Sequence, residues 1–82
     1  MEKKAVVLKY GDGDVAPRIV AKGVNRLAEL IVKIAREHGV AVRDDRALSE
    51  ALMQFDVGDY VPEELYEVVA RILAFVYSLP LD

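Results

Sequence analysis

The chain has 82 residues, of which 54% are hydrophobic, and a formal net charge of −3 at pH 7. A chain of this length can build one small core, so we expect residues 1–82 to form a single domain. The lack of cysteine excludes disulfides and thiolate metal ligands and is typical of a cytoplasmic protein. Acidic residues interrupt the basic ones beyond residue 10, and no apolar run reaches the roughly twenty residues that span a bilayer. The composition therefore predicts neither nucleic-acid binding nor membrane insertion.

Two short apolar runs near the N-terminus predict an antiparallel β-hairpin. The first, residues 5–8, is closed by Lys9 and Tyr10, and the second is Ile19–Ala21. The connection between them, Gly11–Pro17, is rich in glycine and aspartate. A calcium loop would need a distant bidentate glutamate, and a phosphate loop would need to run straight into a helix. The connection has neither feature, so we interpret it as a turn.

The clearest helix is predicted over Val24–His38. Apolar residues recur there at three- and four-residue spacing, and charged residues occupy the opposite face. Gly39 supplies a C-terminal stop, and the apolar run Val40–Val42 predicts a third strand. A strand, a helix and a strand in this order are typical of a right-handed crossover between parallel strands. We therefore expect a small mixed sheet of about three strands.

Two more helices complete the predicted α/β domain of three helices packed on this sheet. Asp44 and Asp45 offer an N-cap for a short helix around Arg46–Gln54, and the last helix is expected over Pro62–Ser78. The apolar arc of the last helix is wider than a core needs, because four residues lie beside its core-facing stripe: Tyr66, Ala70, Leu73 and Tyr77. Two interpretations stay open. Neighbouring elements cover this flank, or the flank forms a shallow apolar groove for a short peptide.

No group of residues predicts catalysis. His38 is the only histidine, and no cysteine or serine nucleophile motif accompanies it, so a catalytic triad cannot be assembled. The adjacent acids Asp44 and Asp45 are more often a helix cap than an acid–base pair. We therefore expect no enzyme activity, no cofactor and no metal site.

Four segments carry a family resemblance: AVVLKY at 5–10, APRIVAKG at 16–23, GDYVPEELY at 58–66 and VARILAFVY at 69–77. In this order they resemble the C-terminal cytoplasmic domain of the FlhB/YscU family of type III export proteins. The resemblance implies the fold of that domain and a role in flagellar biosynthesis or type III secretion.

Members of that family cut themselves within an Asn-Pro-Thr-His sequence, and the cut is linked to a switch from rod- and hook-type to filament-type export substrates. Residues 1–3 stand where Pro-Thr-His would be, and no asparagine precedes them. The resemblance therefore implies a free-standing counterpart of the cleaved C-terminal fragment that cannot cut itself. The strand that the family supplies ahead of the cut is missing too, which should leave one edge of the sheet open.

The resemblance also implies a docking patch for early export substrates at positions that correspond to Ala16, Pro17, Ala70 and Leu73. Ala70 and Leu73 belong to the apolar flank of the last helix, so we expect Tyr66 and Tyr77 to extend the patch into a peptide groove. The expected partners are export gate proteins and the N-terminal segments of rod- and hook-type substrates. The expected location is the cytoplasm, with recruitment to the export apparatus at the inner membrane.

Two other classes of function remain as alternatives. One is a general protein-interaction module that dimerises through the open sheet edge and has no link to export. The other, which the sequence favours least, is a small enzyme with a site near Asp12, Asp14 or Asp44.

Overall fold

The computed structural model describes residues 2–11 and 13–71. Its elements follow in chain order: strand β1 (Lys4–Lys9), strand β2 (Arg18–Val24), helix α1 (Asn25–Glu37), helix α2 (Arg46–Leu52) and a 3-10 turn (Glu63–Leu65). The turn leads into a third helix, α3, described over residues 66–71. The predicted α/β class with three helices is confirmed. Residues 72–78 of the predicted last helix lie outside the described residues.

The two strands form the predicted antiparallel hairpin, which runs from Lys4 opposite Val24 to Lys9 opposite Arg18. The register shifts once, between Val7 and Leu8, so that Val20 of β2 has no paired residue in β1. Such a bulge bends and twists a hairpin.

The predicted third strand, Val40–Val42, is not formed, and the described sheet has two antiparallel strands instead of about three mixed ones. Residues 40–45 have no regular structure. The N–H of Val40 donates to the carbonyl of Ala35 at 2.8 Å, as an extension of the end of α1. A strand exists only beside another strand, and no described strand pairs with this segment. The prediction of a third strand at Val40–Val42 is therefore wrong for the described part of the chain.

The hydrophobic core lies between the hairpin, α2 and α3. It is centred on Ile19, Leu52, Val61 and Val69, and five partly buried residues pack around it: Val6, Leu8, Leu48, Phe55 and Leu65. The segment before the 3-10 turn closes the second edge of β2. Ile19 donates its N–H to the carbonyl of Asp59 at 2.9 Å and accepts from the N–H of Gly58 at 2.7 Å.

Helix α1 packs on the other side of the hairpin and buries only Ala28. Its strongly amphipathic sequence predicted an apolar face directed at the core. Leu27, Leu30 and Ile34, which belong to that face, are instead between 44% and 51% exposed. A two-stranded sheet is too narrow to cover the whole apolar face of a helix of this length.

Helix α2 begins at the N-cap that the sequence predicted. The carboxylate of Asp45 accepts a hydrogen bond from the N–H of Leu48 at 3.0 Å. We expect Asp45→Ala to lower the free energy of unfolding by about 1 kcal/mol, because the substitution leaves a donor of the first turn without its acceptor. Asp44→Ala is the matched control, since Asp44 is exposed and α2 uses Asp45 as its cap. Urea denaturation followed by circular dichroism measures the difference, and equal losses for both variants would contradict the capping role.

Candidate peptide-binding surface

The glycine–aspartate connection between the strands is a turn, as predicted. The N–H of Asp14 donates to the carbonyl of Gly11 at 3.0 Å, and the N–H of Gly11 donates to the Asp14 carboxylate at 2.9 Å. Gly13 adopts a φ of 87°, which a residue with a side chain rarely reaches. Asp14 is thus engaged in closing the turn. Within residues 2–11 and 13–71, no three histidine or acidic side chains gather where they could hold a metal ion.

The end of this connection, Ala16 and Pro17, is buried. Ala16 is only 2% exposed, and Pro17 belongs to the same buried class. The carbonyl of Pro17 accepts a hydrogen bond from the N–H of Val61 at 2.8 Å. The two residues therefore anchor the connection against the segment that leads to α3. They offer little open surface, in contrast to the expectation that they complete an exposed groove beside the last helix.

Helix α3 carries the part of the predicted flank that the structure describes. Tyr66 is 40% exposed and Ala70 is exposed, whereas their neighbour Val69 belongs to the core. Tyr66 and Ala70 are four residues apart and so share one face of the helix. Leu73 and Tyr77, the other two residues of the flank, lie outside the described residues. We call the exposed face formed by Tyr66 and Ala70 the α3 flank.

An ion pair borders the α3 flank. The guanidinium of Arg71 donates to the Glu67 carboxylate at 2.6 Å, and the two residues are one helical turn apart. Both side chains are well exposed, so solvent screens this pair and its contribution to stability is small. The two charged side chains nevertheless lie beside the apolar α3 flank and limit its width.

A contact between Arg18 and Tyr60 joins β2 to the segment before α3, and no sequence pattern predicts it. The guanidinium of Arg18 donates to the Tyr60 hydroxyl at 2.6 Å and lies 4.8 Å from the centre of the ring. The hydrogen bond to Tyr60 raises the pKa of Arg18 above its ordinary value. The two residues also form an isolated antiparallel bridge. Both belong to the segments that carry the family resemblance, but no periodicity relates positions so far apart in the chain.

The remaining candidate residues have structural roles. His38 ends α1, and its Nδ1 lies 2.9 Å from the carbonyl of Ile34, which fits the prediction of a helix-terminal residue. Asp45 is the cap of α2, and Asp44 is exposed beside it. In the part of the chain that the structure describes, no helix has the length and hydrophobicity needed to cross a membrane.

The sequence of this chain is similar to that of a known protein family and of two Bacillus subtilis proteins. The model of the FlhB, HrpN, YscU and SpaS family matches residues 2–76. The chain belongs to this family. It is 44% identical over 78 residues to YlqH of Bacillus subtilis (strain 168), a match that covers 94% of this chain and 84% of that protein. It is 49% identical over 76 residues to the flagellar biosynthetic protein FlhB of the same organism, a match that covers 90% of this chain and 21% of that protein.

A solved structure of an FlhB/YscU family member has the same fold. The chain superposes on the cytoplasmic domain of FlhB from Shewanella putrefaciens with a TM-score of 0.87 and 34% sequence identity, over 93% of this chain and 64% of that one. The predicted resemblance to the C-terminal cytoplasmic domain of FlhB is therefore confirmed, and the chain is a member of the type III export group. The chain corresponds to about a fifth of the length of the FlhB protein that it matches in Bacillus subtilis.

Proposed function

We propose that this protein is a non-catalytic accessory of the flagellar or type III protein export gate. As a single domain over residues 1–82 it would resemble the cleaved C-terminal fragment of FlhB, bind export substrates or gate components and support the switch in substrate specificity. It would act in the cytoplasm and be recruited to the export apparatus at the inner membrane. The observation that carries the proposal is the family match over residues 2–76, together with 49% identity to a flagellar FlhB.

The exposed α3 flank supports substrate binding as the means by which the protein acts. Tyr66 and Ala70 present apolar surface to solvent. The family resemblance implies that Leu73 belongs to the same patch, and helical periodicity adds Tyr77. Ala16 and Pro17 would form the fixed base of the site, because both are buried and the carbonyl of Pro17 accepts a hydrogen bond from Val61. Their part would be to hold the helix in place, with most of the contact to the peptide made by the flank.

The expected affinity is low. Burying two or three apolar side chains of a peptide contributes on the order of a few kcal/mol, and the ordering of an unfolded segment offsets part of that gain. Weak, reversible binding suits a substrate that must move on through the export channel.

We expect a peptide from the N-terminus of a rod- or hook-type export substrate to shift the amide resonances of residues 66–71 in the labelled protein. Ala70→Asp should abolish these shifts, because a carboxylate in the contact face must be desolvated when the peptide binds. Leu73→Asp should have the same effect if the site continues along the helix. Val68→Asp is the matched control, since Val68 is 39% exposed but lies on a different face of the same helix.

Two results of this titration would contradict substrate binding at the α3 flank. One is the absence of shifts at any attainable peptide concentration, and the other is an equal response from the wild type and Ala70→Asp. In either case the role in export would have to be exerted through gate components. In cells whose own FlhB cannot cut itself, deletion of the gene should alter substrate switching and motility, and unchanged behaviour would overturn the proposed role.

A further inference from the structure

Helix α1 leaves a row of three large apolar side chains open to solvent. Leu27, Leu30 and Ile34 are 51%, 48% and 44% exposed. Their spacing of three and four residues places them along one face of the helix. Ala28, through which α1 packs on the hairpin, is buried and belongs to a different face. We call the row formed by Leu27, Leu30 and Ile34 the α1 stripe.

The neighbouring elements of the described chain approach α1 from other directions. The ammonium group of Lys3 donates a hydrogen bond to the carboxylate of Glu29. Glu29 lies two positions after Leu27, which puts it on nearly the opposite side of the helix, because about 3.6 residues complete one turn. The cleft between α1, β1 and α2 is lined by Ala28 and Val32 and by none of the stripe residues. The α1 stripe is therefore left uncovered by the residues that the structure describes.

Leu27 is held in place by its contact with strand β2. A Cβ atom added at Gly23 would lie 2.4 Å from Cγ of Leu27, so the leucine side chain rests directly on the glycine backbone. Only a residue without a side chain allows so close an approach. One side of Leu27 is thus packed on the strand, and the other side faces solvent. A side chain that is already held in this way loses little conformational freedom when a partner covers it.

Two side chains of opposite charge lie along one edge of the α1 stripe. Arg26 and Glu37 are about three helical turns apart, and both belong to the edge that is remote from the hairpin. Both are exposed, and neither forms an ion pair with another described residue. The stripe therefore has a positive charge beside its start and a negative charge beside its end.

We propose that the α1 stripe is the contact surface of a weak homodimer, in which the α1 helices of two copies pack antiparallel about a two-fold axis near Leu30. A two-fold axis makes every contact reciprocal, so each contact between two different residues forms twice. Leu27 of each copy would contact Ile34 of the other copy. Arg26 of each copy would lie near Glu37 of the other, and two identical ion pairs would border the apolar seam.

The order of the charges favours a second, antiparallel copy as the occupant. A partner for this surface needs apolar side chains along its centre, an acidic group near Arg26 and a basic group near Glu37. Helix α1 itself meets all three needs when it runs in the opposite direction. Two parallel copies would instead set this edge against the hairpin-facing edge of the other helix, where Ile31 is apolar, and would leave both charges without a partner.

The dimer should be weak, because its interface consists of one short helix from each copy. We expect such a contact to bury less than the roughly 1,200 Å² at which stable interfaces begin. The mean mass measured by sedimentation equilibrium should rise from that of a monomer toward that of a dimer as the protein concentration approaches about 1 mM. The amide resonances of residues 26–37 should shift over the same range of concentration.

A substitution in the α1 stripe tests the apolar contact. Leu30→Asp puts a carboxylate where the two helices would meet and should weaken the dimer at least about tenfold. Val57→Asp is the matched control, because Val57 is 55% exposed and lies after α2, outside the stripe. Circular dichroism establishes that both variants remain folded.

Exchange of the two charges tests the antiparallel arrangement. Arg26→Glu and Glu37→Arg each set like charges against each other across the seam, so each variant alone should dimerise at least about threefold more weakly at low salt. An equimolar mixture of the two variants should dimerise as well as the wild type, because the acidic edge of one then meets the basic edge of the other. The double variant should recover wild-type dimerisation for the same reason. If Leu30→Asp does not fold, these charge variants, whose native residues are both exposed, decide the question.

Three results would overturn the proposal. The protein stays monomeric up to about 1 mM, Leu30→Asp dimerises as well as the wild type, or the mixture of the two charge variants dimerises no better than each variant alone. The second result would place the dimer contact on another surface, and the third would exclude an antiparallel pair. The contact does not involve the α3 flank, so this inference goes beyond the proposed role in export and is tested separately from it.

Discussion

We expect Ile19→Ala to lower the free energy of unfolding by about 2–5 kcal/mol. Ile19 is 0% exposed and lies at the centre of the core with Leu52, Val61 and Val69. The substitution removes apolar contacts and leaves a cavity. The cavity cannot readily collapse, because Ile19 lies opposite Leu8 of β1 and its backbone N–H and C=O are both bonded to residues 58 and 59. Urea denaturation followed by circular dichroism measures the loss.

Val20→Ala is the matched control for this prediction. Val20 is the next residue in β2, is the residue without a partner at the bulge, and is 39% exposed. We expect it to cost less than about 1 kcal/mol, because an exposed valine contributes little apolar burial. If both variants lost a similar amount of free energy of unfolding, Ile19 would not lie at the centre of the core.

We expect Val69→Asp to prevent the protein from folding at neutral pH. Val69 is 1% exposed and packs in the core cluster, so the new carboxylate would be buried without a partner. Burial of an unpaired charge costs more than the few kcal/mol by which a small domain is stable. The expected observation is loss of the cooperative unfolding transition and of the dispersed amide spectrum.

Val68→Asp and Ala70→Asp place the same charge at the two exposed neighbours of Val69 in α3. Both native residues are exposed, so we expect both variants to fold with little change in stability. A variant at position 70 that failed to fold would mean that α3 is rotated about its axis relative to the core. The three substitutions together establish that the face with Tyr66 and Ala70 is directed to solvent, which the proposed peptide site requires.

The α3 flank is the face of a helix whose backbone groups are already bonded, so it can offer only side-chain contacts and a weak affinity. Such a surface suits transient contact with a passing substrate.

Several features of the candidate site could be predicted from the sequence because they depend on local chemistry. The turn closed by Asp14, the cap at Asp45 and the end of α1 at His38 each involve residues within a few positions of one another. Helical periodicity placed Tyr66 and Ala70 beside the core-facing stripe but left open whether neighbouring elements cover them, and only the structure shows that both are exposed. The pairing of Arg18 with Tyr60 could not be predicted in this way, because it joins residues brought together only by the path of the chain after α2.

By itself, the sequence determined the α/β class, the hairpin, the positions of the helices and, through its motifs, membership of the FlhB/YscU family. Turn chemistry, helix caps and periodicity act over a few residues, so they can be read directly from the order of the amino acids. Only the tertiary structure decided which apolar residues are covered. It buried Ala16 and Pro17, left Leu27, Leu30 and Ile34 half exposed, and kept Val40–Val42 out of the sheet. The physical reason is that burial and strand pairing both require a neighbour, and the neighbours of a residue are set by the whole fold.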